Sequence, residues 1–513
     1  MELNELLLPG EYEGDPIPAG MTVTGIENDG RTVSPGCLFI CHEGTKYNSH
    51  LLLPTLREKG AVAAVVSREY TGKNPDILTV PVDDTRRAEA LICSRFFGSP
   101  GDHLTMIGVT GTNGKTSVAT MIRHILNQAG FPCGMIGTTG FFGRAGDEEA
   151  FSRFRTGEAS TMTTPPPLTL YPLLSAMRER GITHVVMEVS SQALDQGRVA
   201  PLTFACSVFT NLSPEHLDYH GTMTDYLNAK KILFRQTKTA IVNADSPWSD
   251  LLLHGLSCRR VACGTLPSGD VRASEVAFEG SAGVSFACTA GGDTFPVFVP
   301  LPGSFTVQNA LLALAASIRL GADRATAVGA LSRMPTVPGR MERVNTDGFP
   351  FTVLIDYAHT EAALRSLLLS VRAFCKKEER IVLLFGCGGD RDPSKRSEMG
   401  KTAAAFADFT IVTSDNSRTE DPKAIIRAIL SGMSDRSKRR VIVNRERAIT
   451  YAILSAQPGD VVLLVGKGHE KYEIGTDGSR EFDEKKIVER ALEARRSGHT
   501  MEDRDADQYG QTD

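Results

Sequence analysis

The 513-residue chain has no apolar run approaching a membrane span, which takes roughly 20 consecutive apolar residues. No membrane association is expected. Its ten cysteines include no Cys-x-x-Cys pair, and the closest two, Cys37 and Cys41, complete no zinc pattern. Reduced thiols are therefore expected, with neither a zinc site nor a disulfide framework. Basic residues are not in excess: 56 Lys and Arg against 61 Asp and Glu leave a net charge of −5. A general nucleic-acid binder would carry the opposite balance. The start, Met1-Glu2-Leu3-Asn4-Glu5, lacks the basic opening of a signal peptide, so a cytoplasmic location is expected. Internal repeats and low-complexity tracts are also missing. What remains is globular, with 41% hydrophobic and 23% charged residues, and too long for a single core.

Residues 1 to 102 carry two strand-like runs, Cys37–Ile40 and Ala61–Val66, with a helix predicted from Leu52 to Lys59. The turn-rich Gly98–Asp102 reads as a linker. From Leu104 to about Met334 apolar strands alternate with helical patterns, including His184–Val189, Phe204–Phe209 and Thr239–Asn243. Such alternation predicts parallel strands with crossover helices. The turn Val337-Pro338-Gly339-Arg340 marks a second boundary. Beyond it Thr352–Ile355, Ile381–Phe385, Phe409–Val412, Val441–Val443 and Val461–Val465 read as strands. The fold class is therefore α/β. In open α/β sheets ligands sit beyond the carboxyl ends of the strands. The tail from 498 to 513 is polar and reads as disordered.

The most informative segment is Val109-Thr110-Gly111-Thr112-Asn113-Gly114-Lys115-Thr116-Ser117. It follows an apolar stretch and precedes a helical pattern, Val118–Ala129, the layout of a phosphate-binding loop. Glycine lets backbone N–H groups approach phosphates, the helix N-terminus adds a positive dipole, and Lys115 adds a charge. The Thr116 hydroxyl is placed to reach Mg²⁺. The general pattern wants glycine where Val109 stands, so this is a particular variety of the loop. Glu188 ends a neighbouring strand, where a carboxylate can hold Mg²⁺ or simply face solvent. Past another strand, Glu215-His216-Leu217-Asp218-Tyr219-His220 gathers acids and histidines, which favours a site. By spacing alone Lys230 reads as a solvated helix residue.

Gly-Thr-Asn-Gly-Lys-Thr at 111–116, Met-Glu-Val-Ser-Ser at 187–191, His-Leu-Asp-Tyr-His-Gly at 216–221 and Ala-Lys at 229–230 together resemble the Mur ligases of peptidoglycan synthesis. The resemblance continues through Val337–Glu342, Asp356–His359, Phe385–Asp392 and Gly466–Glu470. It covers roughly residues 20 to 490 and is strongest to the MurE branch, which adds the third stem-peptide residue. It implies three domains: 1–102 for the UDP substrate, 103–336 with a P-loop ATPase-like parallel sheet for ATP, and a Rossmann-like 337–497 for the amino acid. It implies ATP and Mg²⁺ as cofactors. Gly111 to Ser117, Asn309, Arg340 and Asp356 would hold the nucleotide. Thr116, Glu188, His216 and a carbamylated Lys230 would serve the metal. Thr163, Thr164, Ser190, Gln196 and Arg198 would hold UDP-MurNAc-dipeptide.

The resemblance implies that the amine is chosen in the last domain, where Asp415-Asn416-Ser417-Arg418 is similar to the Asp-Asn-Pro-Arg of enzymes adding meso-diaminopimelate. That substrate has one more carboxylate than lysine, which a guanidinium can clamp in bidentate fashion. Arg391, Gly466 and Glu470 match the other contacts, with Glu470 placed for the distal ammonium. Two departures stand out: Ser417 replaces proline, and Gly30 replaces a serine that would contact the uridine diphosphate. The implied reaction is acyl-phosphate formation followed by amine attack in a monomeric protein. Closure of the last domain would exclude water. A lysine-adding MurE, or another Mur or folylpolyglutamate-type ligase, is the alternative.

Overall fold

A computed structural model describes residues 1–498 apart from 45–46, 71, 73–75, 145–147, 155–161 and 347. The predicted tail thus falls almost entirely, from 499 onward, outside the described residues. Two compact units are present: Met1–Ala262 with Leu312–Asp323, and Cys263–Leu311 with Arg324–Asp513.

The first unit opens with four parallel strands in the order β1 (Gly25–Glu27), β2 (Cys37–Ile40), β3 (Ala63–Ser67) and β4 (Leu78–Val82). Every residue of β2 is buried, as an uninterrupted apolar run in a parallel sheet requires. β1 and β4 escape a pattern reading because they are short and only part-buried. Pro81 sits in β4, an edge position where a missing donor is tolerated. The helix expected at Leu52–Lys59 is only a single turn, Leu53–Leu56, preceded by a 3₁₀ turn at Ser49–Leu52. Pro54 limits it at the start, and Gly60, at φ +102°, ends the segment. The substantial helix is Thr85–Phe96, capped by Asp84 accepting from the N–H groups of Arg86 and Arg87.

Next come β5 (Thr105–Thr110), β6 (Cys133–Gly137), β7 (Gly140–Phe142), β8 (His184–Glu188), β9 (Phe204–Phe209) and β10 (Thr237–Asn243). They lie in the order β10-β9-β5-β8-β6-β7, and all neighbours but β6 and β7 are parallel. β5, β8 and β9 therefore end side by side, with Val109 opposite both Glu188 and Val208. That register brings together segments a hundred residues apart.

In the second unit, the end of β11 (Arg259–Gly264) pairs with β12 (Val271–Phe278), followed by β13 (Val284–Ala290) and β14 (Asp293–Val299). Here the expectation of parallel strands fails, because β12, β13 and β14 form an antiparallel meander. Their connections, such as Gly291-Gly292, are too short for a crossover. The larger sheet runs β15 (Glu342–Val344), β16 (Thr352–Asp356), β20 (Val461–Val465), β17 (Ile381–Phe385), β18 (Phe409–Val412) and β19 (Arg439–Val441). All pairs but β15·β16 are parallel. The strand expected at Val441–Val443 ends earlier, because Asn444 already caps the helix Arg445–Ser455. A hairpin of β21 (Tyr472–Gly475) and β22 (Gly478–Glu481) follows. Among the described residues no helix is long and apolar enough to cross a membrane.

Candidate active site

The phosphate loop forms where β5 meets the helix Lys115–Gln128. Gly111 has φ +146°, and a Cβ there would lie 1.9 Å from Thr210 Oγ1. No other residue fits. Gly114, at φ +85°, turns the chain into the helix. The segment after β9 scaffolds the loop from outside. Asn113 N–H donates to Asn211 Oδ1 at 2.9 Å, and Thr210 Oγ1 donates to the Asn113 carbonyl at 2.6 Å. The Lys115 ammonium donates to the carbonyls of Gly111 and Thr112, at 2.9 and 2.8 Å.

Glu188, buried at the end of β8, accepts from Thr116 Oγ1 at 3.0 Å and from Thr138 N–H at 2.9 Å. Gly137 makes room: a Cβ there would stand 2.2 Å from the carboxylate. The paired Thr116 hydroxyl and Glu188 carboxylate are hard oxygen donors of the kind Mg²⁺ takes. No cluster of three or more His, Cys, Asp or Glu able to hold a metal occurs among the described residues. The donor set therefore fits Mg²⁺ only as a partial shell, which phosphates and a further anionic ligand would complete.

Lys230 is 1% exposed, contrary to its reading as a solvated residue. Its ammonium donates to the Gly111 carbonyl at 3.1 Å and lies 4.4 Å from the Tyr226 ring centre. Burial, and then the neighbouring charge of Lys115, push its pKa well below the usual lysine range. His216 sits at the mouth, with its side chain partly exposed and its φ at +58°. Burial of its ring lowers its pKa.

The residues expected to hold the UDP substrate extend from the same carboxylate. Thr163 and Thr138 share a hydroxyl contact at 3.1 Å, and Thr164 Oγ1 donates to the Glu188 carbonyl at 2.8 Å. Ser190 N–H donates to Thr164 Oγ1 at 3.0 Å. Arg198 donates to the Thr164 carbonyl at 2.7 Å and to Gln196 Oε1 at 2.7 Å. Lys115, Thr116, Glu188, His216, Lys230 and these five residues thus belong to one unit and one connected surface.

The other predicted residues lie in the second unit. Asn309 is buried on the helix Phe305–Arg319. Asp356, ending β16, accepts from the N–H groups of Met341 and Ala358 at 2.8 and 2.9 Å. Burial raises its pKa, against the pull of Arg340. The Arg340 guanidinium lies 4.9 Å from the Tyr357 ring centre.

Beyond β17 and β18, Arg418 donates to the Gly389 carbonyl at 2.6 Å. Arg418 Nη1 and the Arg391 stem approach the Cβ position of Gly388, at 3.0 and 4.0 Å. The Arg391 side chain is exposed. Ser417, where proline was expected, still closes its turn, since its carbonyl accepts from Glu420 N–H at 3.0 Å. Asn416 Nδ2 donates to Glu470 Oε2 at 2.8 Å. Gly466, at φ +116°, faces Asp415, which a Cβ would approach to 2.6 Å.

Positive-φ non-glycine residues are costly. Of the six among the described residues, His216, Met341, Asp390 and Arg418 fall in or beside these motifs. Strain of this kind concentrates at binding sites. Sequence reasoning missed Thr138, which pairs with Glu188, and Tyr226, which walls Lys230. Tyr226 was recoverable, since positions i and i+4 share a helix face. Arg445, fully buried beneath the Asp415 motif, gave no local signal, and Lys467, equally buried, was read only as part of the Gly466–Glu470 motif. At Gly30, a Cβ would meet Leu52 at 2.5 Å, so the missing serine is matched by a filled space.

Three family descriptions match consecutive parts of the chain: "Mur ligase family, catalytic domain" at 22–97, "Mur ligase middle domain" at 109–317 and "Mur ligase, glutamate ligase domain" at 339–468. A UDP-N-acetylmuramoyl-L-alanyl-D-glutamate–2,6-diaminopimelate ligase of Geobacillus thermodenitrificans is 40% identical over 512 residues, covering 97% of this chain and all of that one. The chain belongs to the Mur ligase family. A ligase of the same name from Syntrophomonas wolfei is 38% identical to this Mur ligase over 96% of its length and 99% of the relative. A solved structure of a 2,6-diaminopimelate ligase of that name aligns with TM-score 0.68 and 29% identity, covering 98% of this Mur ligase and all of the other chain. A folylpolyglutamate synthase from Mycobacterium tuberculosis shares the fold, with TM-score 0.61 and 16% identity over 81% of this chain and 96% of its own.

Proposed function

We propose that this Mur ligase uses ATP to join meso-diaminopimelate to UDP-N-acetylmuramoyl-L-alanyl-D-glutamate. Full-length similarity to ligases of that name supports the ligase chemistry and its substrates. The observation carrying the choice of amine is the cluster in which the Arg418 guanidinium reaches the Asn416 carbonyl at 3.4 Å and the Asn416 amide donates to Glu470 at 2.8 Å. A guanidinium and a carboxylate in one cluster match the distal carboxylate and ammonium of meso-diaminopimelate. Lysine supplies only the ammonium and would leave Arg418 unpaired.

The terminal D-Glu carboxylate attacks the γ-phosphorus of ATP, and the bond to ADP breaks. The amine nitrogen then attacks the acyl carbon, phosphate departs with the bonding pair, and a proton is released. Lys115 and the loop N–H groups hold the phosphates, with Asn309, Arg340 and Asp356 on the nucleotide. Thr163, Thr164, Ser190, Gln196 and Arg198 orient the dipeptide. Thr116, Glu188, His216 and Lys230 would hold Mg²⁺, which when bound neutralises charge on the phosphates. The depressed basicity of Lys230 favours the neutral amine, the form that adds to CO₂ and loses a proton to give an anionic carbamate. Residues 1–102, 103–336 and 337–497 would serve the uridine end, ATP and the amino acid respectively.

An amino-acid panel in a phosphate-release assay tests this. Release should require ATP, the UDP-dipeptide and an amine together, and meso-diaminopimelate should be consumed faster than L-lysine. Faster consumption of L-lysine would overturn the choice of amine. Release without any amine would overturn the ligase reading.

A further inference from the structure

Lys467 lies at the second position of the Gly466–Glu470 motif and is 0% exposed. Its ammonium donates to Asn416 Oδ1 at 2.9 Å and stands 3.7 Å from Asp415 and 3.5 Å from Glu470. Asn416 Oδ1 also accepts from Ile474 N–H at 2.9 Å. With two donors on its oxygen, the amide has one orientation, and its NH₂ must face Glu470 Oε2, 2.8 Å away. Ile474 in turn accepts from Arg418 N–H at 3.1 Å through its carbonyl. Lys467 therefore stands against Glu470 directly and reaches the Arg418 main chain through Asn416 and Ile474.

Charge counting gives this placement a purpose. Asp415 and Glu470 share the cluster, and two ionised carboxylates with no cation between them repel. Lys467 cancels one and leaves a single net negative charge. That is the charge one substrate ammonium requires. The other neighbours do not change the count. Arg445, behind Asp415, is already paired with Glu484 at 2.7 Å. Glu473 is bonded by Ser414 and Arg480. The Tyr357 hydroxyl donates to Glu470 Oε1 at 3.4 Å, and the rings of Tyr472 and Phe482 lie 5.9 and 5.8 Å from the ammonium. His359 exerts a smaller electrostatic pull on Asp415 than Lys467 or Arg445.

We propose that Lys467 is a positioning residue for amine selection, setting the pocket at one net negative charge and fixing the Asn416 amide toward Glu470. The inference rests on the reading of Arg418 and Glu470 as the distal-end contacts. Burial already raises the Glu470 pKa, and Lys467 opposes that rise. Without Lys467 two buried carboxylates share the cluster with no cation between them, which favours protonating one, and the protonated pocket loses its hold on the ammonium.

The test uses the full-length enzyme and a pH series of KM. Wild type is assayed first. If it does not turn over meso-diaminopimelate, the functional reading fails, independently of Lys467. Given turnover, Lys467→Met should raise KM for meso-diaminopimelate at least tenfold near pH 7 and less near pH 9. Its kcat should stay within a few fold, and KM for ATP should not move. The double variant Asp415→Asn with Lys467→Met restores the single negative charge. It should return the pH dependence of KM toward wild type. A KM rise independent of pH, or a double variant no better than the single one, overturns the proposal. If Lys467→Met does not fold, the double variant decides alone. Failure of both to fold assigns Lys467 a structural role and overturns the proposal as well.

Discussion

Lys230 and Lys467 are buried to the same degree, 1% and 0% exposed, and their surroundings are opposite. Lys230 faces a carbonyl, an aromatic ring and the charge of a second lysine. Glu215 exerts a smaller, opposing pull on it. Lys467 faces an amide oxygen and two carboxylates. Burial and a like charge depress the basicity of an ammonium, and opposite charges work against both. The loop at 111–116 thus stands against a lysine of depressed basicity, and the Gly466–Glu470 motif holds one that faces two carboxylates. Burial alone would not have told them apart.

The largest expected effect breaks the first region. Lys115→Met should lower phosphate release about 10³-fold, as loss of a preorganised charge at a transferring phosphoryl group does. Its fold should be retained by circular dichroism. A drop below tenfold would remove Lys115 from the phosphate site.

The next effect addresses the second region. Arg445 is fully buried, donating to Glu484 at 2.7 Å and to the carbonyls of Ser414 and Val465. Those carbonyls immediately precede Asp415 and Gly466. Glu484→Gln strands the guanidinium and should cost about 3 kcal/mol. Urea unfolding measures this, and a loss below about 1 kcal/mol would show that the cations of this region do not depend on their partners.

Lys230→Ala should reduce turnover about 10²-fold, the scale of one lost charged group at a phosphoryl site. Added short carboxylates such as acetate should recover part of it. Recovery by methylamine in place of acetate would mean that a cation is what the position supplies.

The smallest effect concerns stability and pH. The folded-state pKa of Lys230 lies below its ordinary 10.5. Between the two values the unfolded chain binds the extra proton, so stability rises with pH in that window. The cost of the buried ammonium is present below the folded value and vanishes as pH climbs through 10.5. Lys230→Met never carries that cost. In CO₂-free buffer its stability advantage over wild type should be larger at pH 7 than at pH 10. An advantage that grows with pH would contradict the assigned direction.

The two regions also differ in how far they can be read from sequence. The phosphate loop is local: strand, glycines, lysine and helix lie within about twenty residues, and hydrophobic period and glycine placement reveal them. Glu188 was legible as a strand-end carboxylate, but only the fold showed it buried against Thr116 and not facing solvent. The burial of Lys230, which only the resemblance marked, was not legible from spacing, because the carbonyl it meets lies 119 residues away. The antiparallel β12–β14 meander was missed because apolar runs do not declare their direction. Asp415–Arg418 and Gly466–Glu470 were legible as motifs, yet their coupling through Lys467 spans 51 residues.

Sequence by itself determined the α/β class, the phosphate loop and the residue types at each motif, since these follow from short-range periodicity and backbone freedom. Tertiary structure decided which lysine is left among cations and which among carboxylates. Protonation depends on what desolvates a group and what charge stands within a few ångströms, and in this protein those neighbours come from distant parts of the chain.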